Sequence, residues 1–264
     1  MIVCKSPGEI EKMRAANALV AEVLAELAAM VVPGVSTRDL DVAAERMVRE
    51  GGAEPAFKGY RGYPATLCAS VNEQVVHGIP SNRAMHEGDI LSLDMGVKLN
   101  GFYGDSAVTV GVGRIGEDAQ RLLQVTQEAL ERGIRQVRVG GRISDIGHAV
   151  QQHVESHGFS VVREFVGHGI GVALHEEPQI ANYGEPGRGP RMVEGMVFAI
   201  EPMVNMGRPA VKVLKDGWTA VTADGSLSAH FEHSVAVTST GPWILTALPA
   251  PRAAAPVEAG LPRG

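Results

Sequence analysis

Five side chains in the last two-thirds of the chain have the chemistry of metal ligands: Asp94, Asp105, His168, Glu201 and Glu232. They lie in the segments LSLDMGVKLNGFYGDSAV, FVGHGIG, FAIEPMV and SAHFEHSVAV. Four carboxylates converging with one imidazole make an oxygen-rich site, suited to two divalent cations bridged by carboxylates and a water. Such a pair can activate that water as a nucleophile.

Each residue also has a plainer explanation. Aspartates commonly end in turns and edge strands, a buried glutamate commonly belongs to an ion pair, and a lone histidine between glycines is commonly a turn residue. The apolar setting weighs against these. Asp94 follows Ile90-Leu91-Ser92-Leu93, Glu201 follows Val197-Phe198-Ala199-Ile200, and Glu232 precedes Val235-Ala236-Val237. A lone charge in such a strand is costly without a counter-ion, and four carboxylates together repel one another without bound cations. Asp94 and Asp105 are 11 positions apart, and the Asn100-Gly101 turn between them can fold a hairpin that brings them together. Gly167 and Gly169 leave room for a ligand to approach His168. His77 in VVHGIP and His175 in LHEEPQ occupy Gly/Pro-bounded loops, where an imidazole can polarise a carbonyl or pass a proton. His86, His148, His153, His157, His230 and His233 read as surface or helix histidines, although the last two flank Glu232.

The elements that must carry these residues are visible in outline. Ser6-Pro7-Gly8-Glu9 has capping-box spacing with proline at the first helical position, which predicts a helix through Met30. A second helix is expected from near Ser36 to Gly51-Gly52. Shifting the register by 106 residues sets Asp39 over Asp145, Leu40 over Ile146, Val48 over Val154 and Gly52 over Gly158. Two related αα/β halves follow from that offset. Strand-like segments cover 90–97, 102–110, 197–204 and 231–237, and short hairpins favour antiparallel pairing. Gly111-Val112-Gly113-Arg114-Ile115-Gly116 matches a dinucleotide fingerprint. Glu117 and Asp118 in the first turn of the next helix would repel a diphosphate, so the segment reads as a plain strand-to-helix turn.

With 45% hydrophobic and 20% charged residues, the 264-residue chain has an ordinary globular composition able to bury a large core. The formal charge of −6 argues against a bulk electrostatic nucleic-acid binder. The start MIVCKSPGEIEKMR has no apolar signal core, and no stretch approaches the roughly 18 apolar residues of a membrane span. Cys4 and Cys68 make no disulfide framework and no C-x-x-C motif. A cytoplasmic protein is the expectation. The Ala/Pro-rich tail over 247–264 is expected to be disordered.

Over roughly residues 1–245 the chain resembles the type I methionine aminopeptidases, through GYPATLCASVNEQVVHGIP, the Asp94/Asp105 pair, GHGIG, HEEPQI, FAIEPM and the W-T…HFEH segment. The resemblance implies an α+β pita-bread fold over residues 1–246, with two pseudo-symmetric halves around a curved antiparallel sheet. It implies a hydrolase that removes initiator methionine from nascent proteins and peptides with a small second residue, using two divalent metal ions (Co, Mn, Fe or Zn). Asp94 and Glu201 would lie to one side of the pair, His168 beside them, and Asp105 and Glu232 would bridge. His77 and His175 match substrate-contacting histidines, and Glu201 could shuttle a proton. Tyr60, Tyr63, Cys68 and Trp218 match the pocket for the methionine side chain, an unbranched thioether suited to an apolar, aromatic-lined hole. Phe57 and Leu174 stand at pocket positions where many relatives carry cysteine and phenylalanine, and Val76 where a cysteine is common.

The type II insertion before Glu201 and any zinc-finger or SH3-binding extension are missing. The partners implied are methionine-bearing peptide N-termini, with the ribosome exit region as a possible workplace, no direct nucleic-acid contact, no membrane and a monomeric state. An Xaa-Pro aminopeptidase of the same fold is the nearest rival; those enzymes usually carry a further N-terminal domain. A non-catalytic pita-bread binding module is the other, but such proteins typically lose ligands that this chain retains.

Overall fold

The computed structural model describes residues 1–248, and the Ala/Pro-rich segment beyond Leu248 lies outside them. Helix α1 (Pro7–Met30) starts as its capping box dictates, with the Ser6 amide donating to Glu9 Oε2 at 2.7 Å. Helix α2 (Thr37–Glu50) repeats the device, with the Ser36 amide donating to Asp39 Oδ2 at 3.1 Å. The strands of this half are β1 (Glu54–Pro55), β2 (Cys68–Val71), β3 (Gln74–Val76), β4 (Ile90–Leu99) and β5 (Phe102–Gly111). β4 and β5 form a ten-pair antiparallel hairpin around Asn100-Gly101, and β1 and β2 pair with the other edge of β4.

The second half opens with α3 (Glu117–Ile134) and α4 (Ile143–Ser156), followed by β6 (Ser160–Val161), β7 (Gly167–Gly169), β8 (Glu176–Ile180), β9 (Val197–Ile200) and β10 (Met203–Asn205). It continues with β11 (Val211–Val213), β12 (Ala220–Thr222), β13 (Ser228–His230), β14 (His233–Thr238) and β15 (Gly241–Ile244). One antiparallel sheet runs β15-β14-β9-β7-β8, a smaller one runs β13-β10-β6, and β3 crosses from the first half to pair with β12.

The 106-residue offset is structural. Asp145 accepts from the Arg142 amide at 2.8 Å as Asp39 does from Ser36. Leu40, Ile146, Val48 and Val154 are all fully buried. Gly52 and Gly158 leave their helices at φ 73° and 81°, the left-handed region that glycine enters without penalty. Each helix pair covers its own sheet. Val20, Leu24 and Leu27 pack with Leu91, Leu93 and Met95, whereas Ile146 and Val150 share a core with Phe198, Ile200, Val235 and Val237. Gly111–Gly116 is the expected strand-to-helix turn, with Gly116 capping α3.

One expected strand is interrupted and another starts late. The 197–204 segment divides after Ile200, so that β9 belongs to the five-stranded sheet and β10 to the three-stranded one. The 231–237 segment becomes strand only from His233, with Phe231 and Glu232 lying between β13 and β14. Glu201-Pro202 and Phe231-Glu232 occupy these two changes of sheet. Proline has no amide to donate to a ladder, which favours the break at 202.

Candidate active site

Asp94 sits in the β4 ladder opposite Cys68 on one side and Ala107 on the other, and Asp105 lies two residues before Ala107 on β5. Period-two alternation puts both carboxylates on one face of the hairpin, as a diagonal cross-strand pair. The Glu232 amide donates to Ala107 O at 2.9 Å, and Ser106 Oγ donates to Glu232 O at 2.6 Å. Ser234 Oγ donates to Asp105 O at 2.9 Å. These bonds stitch the second half to the hairpin and bring Glu232 beside the two aspartates.

His168 enters from β7. Its Nδ1 lies 2.8 Å from Gly169 O, so that nitrogen carries the proton and donates to the carbonyl, leaving the Nε2 lone pair free. Nε2 is 3.6 Å from Glu201 Oε1 and 3.9 Å from Asp105 Oδ2. Gly167 and Gly169 are required by the packing: a Cβ at Gly167 would collide with Ala199 O, and one at Gly169 with Glu177 O.

The five predicted ligands line one cavity. Asp105, His168 and Glu232 are the one group of three or more among the described residues whose donor atoms all lie within 4.8 Å of one another. Burial drives every carboxylate toward its protonated form. Burial pushes Asp94 up to about 7, and it also raises Asp105, Glu201 and Glu232 well above the ordinary carboxylate range, with the neighbouring carboxylates adding to the shift. Asp94 Oδ1, Asp105 Oδ1 and Glu232 Oε1 are buried without a hydrogen-bond partner. Orphaned anionic oxygens facing a free imidazole nitrogen fit divalent cations, and a bound cation would remove the penalty that burial imposes.

The predicted pocket residues line the same cavity of about 180 Å³: Phe57, Tyr60, Tyr63, Cys68, Leu174 and Trp218, with His77 and His175 between them and the carboxylates. Tyr63 and Trp218 meet edge to face at 5.2 Å, and the Tyr63 hydroxyl points at Leu67 O and Gly78 O. Its phenol is thereby spent on the backbone, and the ring faces the cavity as an apolar wall. The His77 ring stands edge-on to Phe165 and Trp218, and burial lowers its pKa to about 4, which keeps it neutral at pH 7. His175 Nδ1 lies 2.9 Å from the Tyr60 hydroxyl, and the two rings stack at 5.3 Å.

The reading of His230 as a surface or helix residue is corrected. It lies on β13, 1% exposed, with Nε2 3.7 Å from Glu201 Oε2 and burial lowering its pKa to about 3. His233 is on β14, bonded through Nδ1 to Thr246 Oγ1 at 2.7 Å. The one sign of this in SAHFEH is that both histidines flank Glu232. Arg61, between two of the pocket tyrosines, also lines the cavity and was not foreseen.

A carboxylate–imidazole cluster opening onto an apolar pocket, at the junction of two related αβ halves, defines a pita-bread metallopeptidase. The sequence profile of metallopeptidase family M24 matches residues 11–239. Methionine aminopeptidase 1 of Bacillus subtilis is 54% identical over 246 residues, 93% of this chain and 99% of that one. The crystal structure of the Thermotoga maritima methionine aminopeptidase superposes with a TM-score of 0.92 at 48% identity, covering 93% of this chain and 99% of that one. The prolidase of Pyrococcus horikoshii shares the fold alone, at 21% identity and a TM-score of 0.76, with 65% of its chain covered. The chain belongs to metallopeptidase family M24, among its methionine aminopeptidases.

Proposed function

We propose that the protein removes N-terminal methionine hydrolytically from nascent proteins and peptides with a small second residue, and that it uses two divalent cations drawn from Co, Mn, Fe or Zn. The observation that carries this reading is the direct opening of the apolar pocket onto the carboxylate cluster. At about 180 Å³ the cavity falls short of the ~300–1,000 Å³ typical of sites for whole small molecules. It suits one side chain and the bond next to it.

Asp94, Asp105, His168, Glu201 and Glu232 would hold the cations. Cations bound there supply Lewis acidity, lowering the pKa of a water and polarising the scissile carbonyl. Phe57, Tyr63, Cys68, Leu174 and Trp218 receive the methionine side chain and exclude water from it. Glu201 takes the proton released by the attacking water and returns it to the departing amine. His175 Nδ1 lies 2.9 Å from the Tyr60 hydroxyl, and we assign that hydroxyl as the donor, which puts the His175 proton on Nε2, the nitrogen left to donate to the developing oxyanion. Neutral His77 sits by the scissile nitrogen, where it orients the peptide. We place this work in the cytoplasm, on chains emerging near the ribosome exit, by a monomer that needs no direct nucleic-acid contact. Among the described residues no helix is long and apolar enough to cross a membrane.

The test is methionine release from Met-Ala-Ser by metal-stripped protein titrated separately with Mn, Co, Fe and Zn, beside E201A. Metal-dependent release that E201A lacks is the expected result. Cleavage of an Xaa-Pro peptide in preference to Met-Ala-Ser, or no release with any metal by folded protein, would overturn the reading.

A further inference from the structure

Arg61 is the one cavity-lining residue with a fixed positive charge. Its backbone is left-handed, φ 49° and ψ 23°, between Gly59 and Gly62, which also have positive φ. Four backbone bonds close this loop: Tyr60 N to Phe57 O, Gly62 N to Gly59 O, Tyr63 N to Tyr60 O and Gly59 N to Tyr63 O. Arg61 therefore starts from a fixed point at the cavity mouth. Its guanidinium carbon stands 5.4 Å from the centroid of the Tyr60 ring, which also stacks on His175 at 5.3 Å. Among the described residues no carboxylate forms an ion pair with Arg61 within 4.0 Å.

The charge balance gives this cation a role, resting on the function proposed above. Four carboxylates balance two divalent cations, so the positive charge of Arg61 is surplus at the mouth. With the methionine side chain in the pocket and the scissile bond beside His175, the rest of the peptide must leave past the Tyr60–Arg61 corner. The guanidinium and His175 both contact the Tyr60 ring, so the guanidinium lies no more than about 11 Å from the His175 ring centroid. An extended peptide spans that separation in about two or three residues, at roughly 3.3 Å each.

We propose that Arg61 is a specificity-determining residue that selects peptides carrying a carboxylate at the third position or just beyond it. That carboxylate is either an acidic side chain or the C-terminus of a short peptide, and the planar guanidinium matches both.

The experiment measures kcat/KM of the metal-loaded enzyme for two substrate pairs, Met-Ala-Ser against its C-terminal amide and Met-Ala-Glu-amide against Met-Ala-Gln-amide. It compares wild type with R61A, R61K and R61E at low salt and at high salt. Each ratio is taken within one variant, so a general loss of activity or of folded protein cancels. Wild type should favour the anionic member of at least one pair by about three- to tenfold, the pair showing whether a terminus or a side chain is read. R61K should keep part of the ratio, R61A should bring it near one, R61E should invert it, and high salt should compress it. A wild-type ratio of one in both pairs, or a ratio that R61A leaves intact, overturns the assignment to Arg61 while the aminopeptidase reading stands. Failure of wild type to cleave any of the four peptides overturns both.

Discussion

Glu201 has two imidazoles within 4 Å, His168 and His230, and the second was illegible in the sequence. Asp94 was legible because it breaks an otherwise apolar strand, and a buried charge needs a reason. Histidine carries no such cost when neutral, so its burial leaves no trace in local sequence. His175 could be placed from its Gly/Pro-bounded loop and the family motif, but its Tyr60 bond joins residues 115 positions apart and needed the fold. Replacing His175 by Ala should lower kcat by about 10- to 1000-fold with metal content unchanged, the loss expected of an oxyanion donor. Metal analysis beside steady-state kinetics checks both halves of that statement. Lys5, like Arg61, is a further residue that local reasoning missed, because a lysine just ahead of a helix cap reads as exposed. Its side chain is 4% exposed and its Nζ lies 2.6 Å from Glu176 Oε2, while Glu176 Oε1 accepts the Ala173 amide. Lys5→Met leaves the partly buried Glu176 carboxylate without its charged partner and should destabilise the protein by about 1–3 kcal/mol. Urea unfolding should show a lower midpoint at unchanged slope.

At the level of elements, the capping boxes of α1 and α2 and the β4–β5 hairpin followed from short-range rules and were located within a residue or two. The break in the 197–204 segment and the late start of the 231–237 strand did not. Both segments are apolar enough to be strand throughout, and only the change from one sheet to another sets these limits. A third device, the loop entering β4, shows how local bonds hold a ligand-bearing strand in register. Asp89 Oδ2 accepts the His86 amide at 3.0 Å, and its Oδ1 accepts Asn72 Nδ2 at 2.8 Å. Burial works to raise the Asp89 pKa, but those hydrogen bonds and the nearby Arg83 outweigh it, and the net shift is downward from 3.8. A carboxylate with a lower pKa folded than unfolded contributes stability above its unfolded value, and loses it as pH falls through the folded one. Asp89→Asn should therefore be less stable than wild type at pH 7, with the difference shrinking below pH 3.8. Denaturant unfolding at both ends of that range tests it; a difference that stays constant with pH would refute the charge as its source.

Across the whole molecule, the 106-residue echo proved to be two halves with matching caps, cores and helix exits. Their relation was legible because Asp39/Asp145 and Gly52/Gly158 do the same local work. The meeting of the halves was not, since Ser106, Ser234 and Thr109 reach across it through serine and threonine hydroxyls that look ordinary in sequence. Asp94 and Asp105 belong to one half, His168, Glu201 and Glu232 to the other, so cations held as proposed would fasten the halves together. Chelation should lower Tm, and re-addition at a hundred times the dissociation constant should restore about 2.7 kcal/mol for each cation bound. A scan whose Tm ignores both treatments would mean that the halves hold without the metal.

The same division of ligands sets a timetable for synthesis. A growing chain offers Asp94 and Asp105 first, on a hairpin that can form as soon as residue 111 is made, but Glu232 follows on the order of ten seconds later. Until the second half arrives, the two aspartates have neither His168 nor Glu232 with which to share a cation. The early hairpin therefore keeps its carboxylates hydrated, and the newborn protein becomes competent only when nearly all of it has been translated.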